Sequence, residues 1–318
     1  MRVKKMAPLF MAGVLLLSGG LFANGSATAA ASSTGNIEVL LNAKKIQFPD
    51  AKPYQDAQGS VMVPIRFVSE ALGAEVDWEK VNGQMTVSVQ NEQHTVQMTV
   101  GQMVAKVDGQ DKTYGTKIEL KQNRTFVPLR LVSEGLGQPV EWDKIGRWVW
   151  IGKREAPTLE ELGLKPVDIG PYKKWFEKMP YLLKSPREDI TYDKVLIFKI
   201  TDLPTSLLRD IYSVEPYTDT KTKVTYLKVR SKTTSSAGNL FYLTKKKDIR
   251  YRYPVDERTI NNGDGTKYCF YPIFSRSDKT LDGIVDQKPL QLEDIEYIGF
   301  YGGKQDYIPL MINSWKGI

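Results

Sequence analysis

The chemistry open to this 318-residue chain is limited first by its single histidine and single cysteine. A nucleophilic triad needs a base beside its serine or cysteine. His94 lies in QNEQHTVQMTV, where it alternates with Val96 and Met98 as a strand or turn residue, with no nucleophile motif around it. Cys269 has no partner for a disulfide within the chain, and one Cys with one His cannot fill a zinc site. No glycine-rich phosphate loop precedes a helix. The segment NNGDGT, 261–266, offers oxygen ligands but lacks the Asp-x-Asp-x-Asp-Gly spacing of a calcium loop, so a hairpin turn is the leading expectation and a structural calcium the lesser one. The expectation is no catalytic residue, no metal and no other cofactor. Carboxylate pairs for glycoside hydrolysis stay open, because Asp and Glu are plentiful and their separation in space decides that chemistry.

Two clusters suit binding better. In LTKKKDIRYRY, the cations Lys245, Lys246, Lys247, Arg250 and Arg252 gather with Tyr242, Tyr251 and Tyr253. On a strand, Arg250 and Arg252 share one face and Tyr251 and Tyr253 the other, which predicts a charged outer face over a half-buried aromatic one. That face is either an edge that blocks sheet-to-sheet aggregation or a patch for an acidic wall polymer such as teichoic acid. In RWVWI, Trp148 and Trp150 share a face while Val149 and Ile151 take the other. The pair either packs against the domain that follows or forms a stacking platform for a ligand.

The elements behind these residues begin with a duplication. At a shift of 64, VMVPIRFVSEALGAEVDWEKV (61–81) aligns with TFVPLRLVSEGLGQPVEWDKI (125–145), identical at 11 of 21 positions. Each copy reads as an extended approach, a short helix opened by Pro64 or Pro128 and closed by Gly73 or Gly137, then a strand carrying Trp78 or Trp142. The first helix should bury Phe67, Val68, Ala71 and Leu72, with both tryptophans in the core. Arg66/Glu70 and Arg130/Glu134 sit one helical turn apart in both copies and read as structural pairs. The first-copy strand QMTVSV offers Gln84, Thr86 or Ser88 where the second has its tryptophan pair.

This doubled VP[IL]R[FL]VSE.LG..V.W pattern, over 37–152, resembles the N-terminal, or stalk, domain of copper amine oxidases, found on secreted proteins of Gram-positive bacteria. The resemblance implies an α+β module of two repeated small units and an accessory role. The catalytic body of those enzymes takes three histidines for copper and builds its quinone from a tyrosine next to an asparagine. This chain has one histidine and no Asn-Tyr pair, so copper oxidation is excluded.

Downstream, KREAPTLEELGLKPVD opens a linker with short helices, expected over 153–190, with Thr158 and Glu161 at capping-box spacing. From Lys194 on, KVLIFKI, KVTYLKV, NLFYLT, IRYRYPV, TKYCFYPI, EYIGFYGG and YIPLMI follow one another between turns. They predict an all-β antiparallel sandwich over 191–318, and the pattern loosely resembles the jelly rolls of carbohydrate-binding modules. At the other end, Arg2, Lys4 and Lys5 precede an apolar run from Leu9 to Leu21 and Ala-x-Ala options, the form of a secretory signal peptide over 1–31. No comparable run recurs, so no membrane span is expected after its removal. Three of the 44 Lys+Arg and none of the 37 Asp+Glu fall in that segment, so the formal charge drops from +7 to +4, too weak to imply nucleic acid. The sequence therefore predicts a secreted, non-catalytic protein of the cell surface or wall that contacts extracellular or wall polysaccharide. The alternatives are a structural or interaction partner of an envelope protein and a glycan-cleaving enzyme.

Overall fold

Val61–Pro64 and Arg124–Pro128, the matching strands of the two repeat copies, pair antiparallel with each other in the computed structural model, in the register Met62↔Pro128, Val63↔Val127 and Pro64↔Phe126. The structure describes residues 36–186, 189–235, 238–276, 278, 289–303 and 305–315, and the expected signal segment lies outside them. Most of its regular structure is strand, in several largely antiparallel sheets.

Each of these strands runs straight into a helix, α1 (Ile65–Ala71) or α2 (Leu129–Gly135), through a proline at the N-cap with φ of −64° or −57°. Proline presets that angle and lacks the N–H that a helix start would leave unpaired. Both helices end the same way. Gly73 and Gly137 take positive φ, the N–H groups of Gly73 and Gly137 donate to Glu70 and Glu134, and those of Ala74 and Gln138 donate to Ser69 and Ser133, closing a Schellman turn in each copy. The buried stripe of α1 is Ile65, Val68 and Ser69, with Leu72 beyond its end half-buried; Ala71, expected inside, faces solvent. In α2 the corresponding Gly135 is buried, and a Cβ there would lie 2.6 Å from Val96 Cγ2. The Ala-to-Gly difference between the copies thus follows from the sheet that carries Val96 and Val107, which comes close to α2 at this position.

That sheet is an antiparallel meander of Glu75–Val81, Gln84–Gln90, Thr95–Thr99, Val104–Val107 and Gln110–Thr113. In the second copy the hairpin Val140–Asp143/Trp148–Ile151 is completed instead by the N-terminal strand Glu38–Leu41, which joins it in parallel. Val39, Val63, Val68, Val89, Val96, Val127, Val132 and Ile151 fall in one apolar cluster, so the two copies share a core.

In the C-terminal half, one sheet takes the order Val167–Asp168, Lys194–Phe198, Tyr307–Ile312, Ile295–Tyr301, Asn239–Thr244, Ile249–Arg252. The other takes Ile211–Thr218, Thr225–Lys232, Thr266–Pro272, Ile260–Asn261. Pairing is antiparallel apart from Lys194–Phe198 with Tyr307–Ile312, a parallel pair that the sequence reading did not anticipate. Alternation on Asn239–Thr244 serves two cores: Leu240 and Tyr242 join Leu227, Val229 and Tyr271 of the smaller sheet, while Phe241 and Leu243 point the other way. What they meet there is part of the expected linker. Ile169, Trp175, Phe176, Met179 and Leu182, around helix α3 (Lys173–Phe176), cover that face, and the Trp175 indole donates to Thr244 O at 2.8 Å. Only the start of the segment matches the expected capping turn, with Thr158 N donating to the Glu161 carboxylate and Glu161 N to Thr158 Oγ1. Among the described residues no helix is long and apolar enough to cross a membrane.

Candidate functional site

Trp148 and Trp150 do share a face, and it is closed. Both are buried, edge to face at 6.1 Å, and Trp148 stacks on Tyr212 at 5.5 Å. With Leu40 they join the sandwich cluster of Phe198, Leu203, Ile211 and Val214, while Val149 and Ile151 fill the stalk core. Lys45 pins the same junction, donating from Nζ to Thr201 O at 2.6 Å and Leu203 O at 2.7 Å. Burial there pushes the Lys45 amine down and the neighbouring Glu38 carboxyl up. Of the two expected roles, packing against the following domain is the one observed. No aromatic platform for a ligand exists at this strand.

The basic strand is turned the other way from the sequence reading. Arg250 and Arg252 are buried, Arg252 at 2% exposure. Arg252 grips Asp278 with both terminal nitrogens, at 3.0 and 2.6 Å, and donates to Pro272 O and Ile273 O. Arg250 bonds Asp248 at 2.9 Å. A carboxylate from a distant segment therefore lets guanidinium groups enter the interior, where an unpaired cation could not stay. Of the expected patch, Lys245 and Lys246 remain exposed, and Lys247 lies 3.6 Å over the Trp175 ring and 3.1 Å from Glu296.

The inversion puts tyrosines outside. Tyr253 is 68% exposed and Tyr181, from the segment covering the sheet, 54%. Tyr251 sits 5.1 Å from Tyr253 and 6.0 Å from Tyr301, both nearly edge-on. Asn239 Nδ2 donates to Tyr251 Oη at 2.7 Å, and Tyr301 Oη donates to Lys184 O at 3.1 Å, so two rings are held while Tyr253 stays open. Partial burial raises the phenols of Tyr181, Tyr251 and Tyr301. Sequence reasoning had Tyr251 and Tyr253 and assigned them the wrong face; Tyr181 and Tyr301 carried no local signal.

The structural residues of the repeat divide. Arg130 pairs with Glu134 at 3.3 Å as expected, whereas Arg66 lies 5.2 Å over the Trp78 ring instead. Trp78, expected in the core, is exposed and Trp142 is half-buried, because both strands are edges of their sheets. A cleft of about 830 Å³ beside Trp78 is lined by Glu70, Glu75 and Asp77. All three are exposed. His94 Nδ1 lies 2.9 Å from Asp108 Oδ2, and Asp108, held below the usual carboxylate range by the Thr95 N–H and then by His94, ties two hairpins together. In the 261–266 turn, Asp264 is taken up by Thr266 and by Arg230 at 2.6 Å. Among the described residues no three His, Cys, Asp or Glu side chains gather as a metal set.

Around the smaller sheet four cations come with acids: Lys228 with Glu215 (2.6 Å), Arg230 with Asp264 (2.6 Å), Lys232 with Asp210 (3.0 Å) and Arg258 with Asp219 (2.7 Å). Asp219 is lowered by the Thr222 N–H and Arg258, Asp264 by Thr266 and Arg230, and Asp210 by Ser235 and Lys232. Each carboxyl is more acidic folded than unfolded, so the unfolded chain takes up protons first as pH falls. The stability these pairs contribute is present above the ordinary carboxylate value and is lost below about pH 4. Melting temperature should drop between pH 7 and pH 3, and an unchanged value would contradict the pairing.

No curated protein and no solved structure matches the chain. Residues 40–151, the region of the repeat, match the family model described as the copper amine oxidase N-terminal domain.

Proposed function

We propose that the protein is a secreted, non-catalytic protein of the cell surface or wall that contacts extracellular or wall polysaccharide. The tyrosine cluster carries this reading. Exposed tyrosine combines a rigid apolar ring with a hydroxyl at low entropy cost, which suits the C–H faces and hydroxyl groups of sugars. The charge pattern supports a neutral glycan over an acidic polymer, since Arg250 and Arg252 are inside and Lys228, Arg230, Lys232 and Arg258 already have acid partners. Wall sacculi stripped of teichoic acid should retain the wild type, and Tyr253→Ala should weaken retention by about tenfold. A double Lys245→Ala/Lys246→Ala variant should bind like the wild type. The reverse pattern would establish the acidic-polymer reading instead.

A second reading, a partner of an envelope protein, draws on one observation. Val81, Met85, Met103 and Val104 are exposed at the same end of the five-stranded stalk sheet, the kind of apolar patch that protein contacts cover. Wild-type protein that no wall preparation retains would favour it.

A further inference from the structure

The second repeat copy holds a pocket that no binding residue expected from the sequence touches. It encloses about 560 Å³ between α2, the hairpin strand carrying Trp142 and the loop 58–60 of the first copy, within the size range of small-molecule sites. Its floor is made of valine, proline and leucine side chains, with the Trp142 indole and the Tyr114 ring, both half-buried, beside them. Around this apolar floor stand the Gln58 amide and the hydroxyls of Ser60, Thr113 and Tyr114. Among the described residues, none of these side-chain groups nor the Trp142 N–H has a hydrogen-bond partner. The charged group at the rim, Arg130, is bonded to Glu134.

We infer that this pocket binds a pyranose unit of a neutral glycan. A sugar ring presents an apolar C–H face and an equatorial belt of hydroxyls, which are the complements of an indole beside uncharged donors and acceptors left without partners. An anion at Arg130 would also meet the Glu134 carboxylate, which lies 3.3 Å from that guanidinium. An apolar ligand would leave four polar groups unpaired on binding. In the first copy Arg66 lies over the Trp78 ring at 5.2 Å, and the cleft beside that ring is lined by Glu70, Glu75 and Asp77, where the second-copy pocket has uncharged polar groups. The duplication has thus produced one cleft lined by carboxylates and one lined, apart from Arg130, by uncharged residues.

The inference rests on the polysaccharide reading and adds a stalk site to the tyrosine cluster on the sandwich. The test is retention on stripped sacculi of the full chain carrying Trp142→Ala, Tyr114→Phe, Trp78→Ala or Tyr253→Ala, each checked for its fold by circular dichroism. Trp142→Ala should lower retention about tenfold and Tyr114→Phe, which removes only a hydroxyl, several-fold, with Trp78→Ala unchanged. Retention of Trp142→Ala and Tyr114→Phe at the wild-type level, with loss in Tyr253→Ala alone, overturns the pocket and leaves the polysaccharide reading standing. Failure of the wild type to bind overturns both.

Discussion

Replacing Trp150 with alanine should cost about 3–5 kcal/mol and split unfolding into two transitions. The size follows from burial: Trp150 and Trp148 fill the space between the stalk strand that carries them and Phe198, Leu203, Ile211 and Val214 of the sandwich. Removing an indole there leaves a cavity that side chains held from both sides cannot close. The split follows from the division of the core. The stalk has its own cluster around Val39, Val63, Val127 and Val149, and the six-stranded sheet has another under Trp175 and Phe176. Across the junction the linkage is the tryptophan pair, Leu40 and the two hydrogen bonds from Lys45. With the wedge gone, each part should melt on its own core. Urea unfolding followed by both tryptophan fluorescence and far-ultraviolet circular dichroism reads this directly. Coincident curves in the variant would mean that the junction does not depend on the pair.

Arg252→Ala should destabilise by about 3–5 kcal/mol, far more than removing a surface arginine. Asp278 is buried and takes two bonds from Arg252, so truncation leaves a buried carboxylate with the Ser275 N–H at 3.0 Å and Arg250 at 3.9 Å, and leaves Pro272 O and Ile273 O without their donor. Replacing both partners, as Arg252→Met with Asp278→Ala, should recover much of the loss, because both charges of this pair are then gone while Arg250 keeps Asp248 at 2.9 Å. A double variant as unstable as Arg252→Ala alone would show that packing of the long side chain matters more than its charge. Denaturant midpoints for the three variants separate these outcomes.

How far the fold could be read ahead depended on whether its signals were local. The repeat was legible because Pro64, Arg66, Glu70, Gly73 and Trp78 recur 64 residues on as Pro128, Arg130, Glu134, Gly137 and Trp142, each with its own steric or capping reason. The two-sided strand RWVWI was legible too, since alternation assigns Val149 and Ile151 to one core and the tryptophans to another. The face of IRYRY was not. Alternation separates arginines from tyrosines but does not say which side is inside, and the group that decided it, Asp278, lies 26 residues from Arg252. The cover over the six-stranded sheet escaped for a similar reason, because Trp175, Phe176, Met179 and Leu182 follow no strand or long-helix period. Trp78 and Trp142 looked like core because tryptophan is mostly buried, yet each sits on an edge strand with one flank open. The tyrosine cluster proposed for binding was the least legible part, being assembled from Tyr181, Tyr251, Tyr253 and Tyr301 in three separate segments.

The most direct test of the proposed contact with polysaccharide through uncharged aromatic surfaces is retention of the protein on stripped wall sacculi across a salt series, from about 50 mM to about 500 mM. Stacking and neutral hydrogen bonds predict retention that stays level throughout. Retention that collapses with salt, or that needs teichoic acid to be present, would contradict the account and return the contact to Lys245 and Lys246.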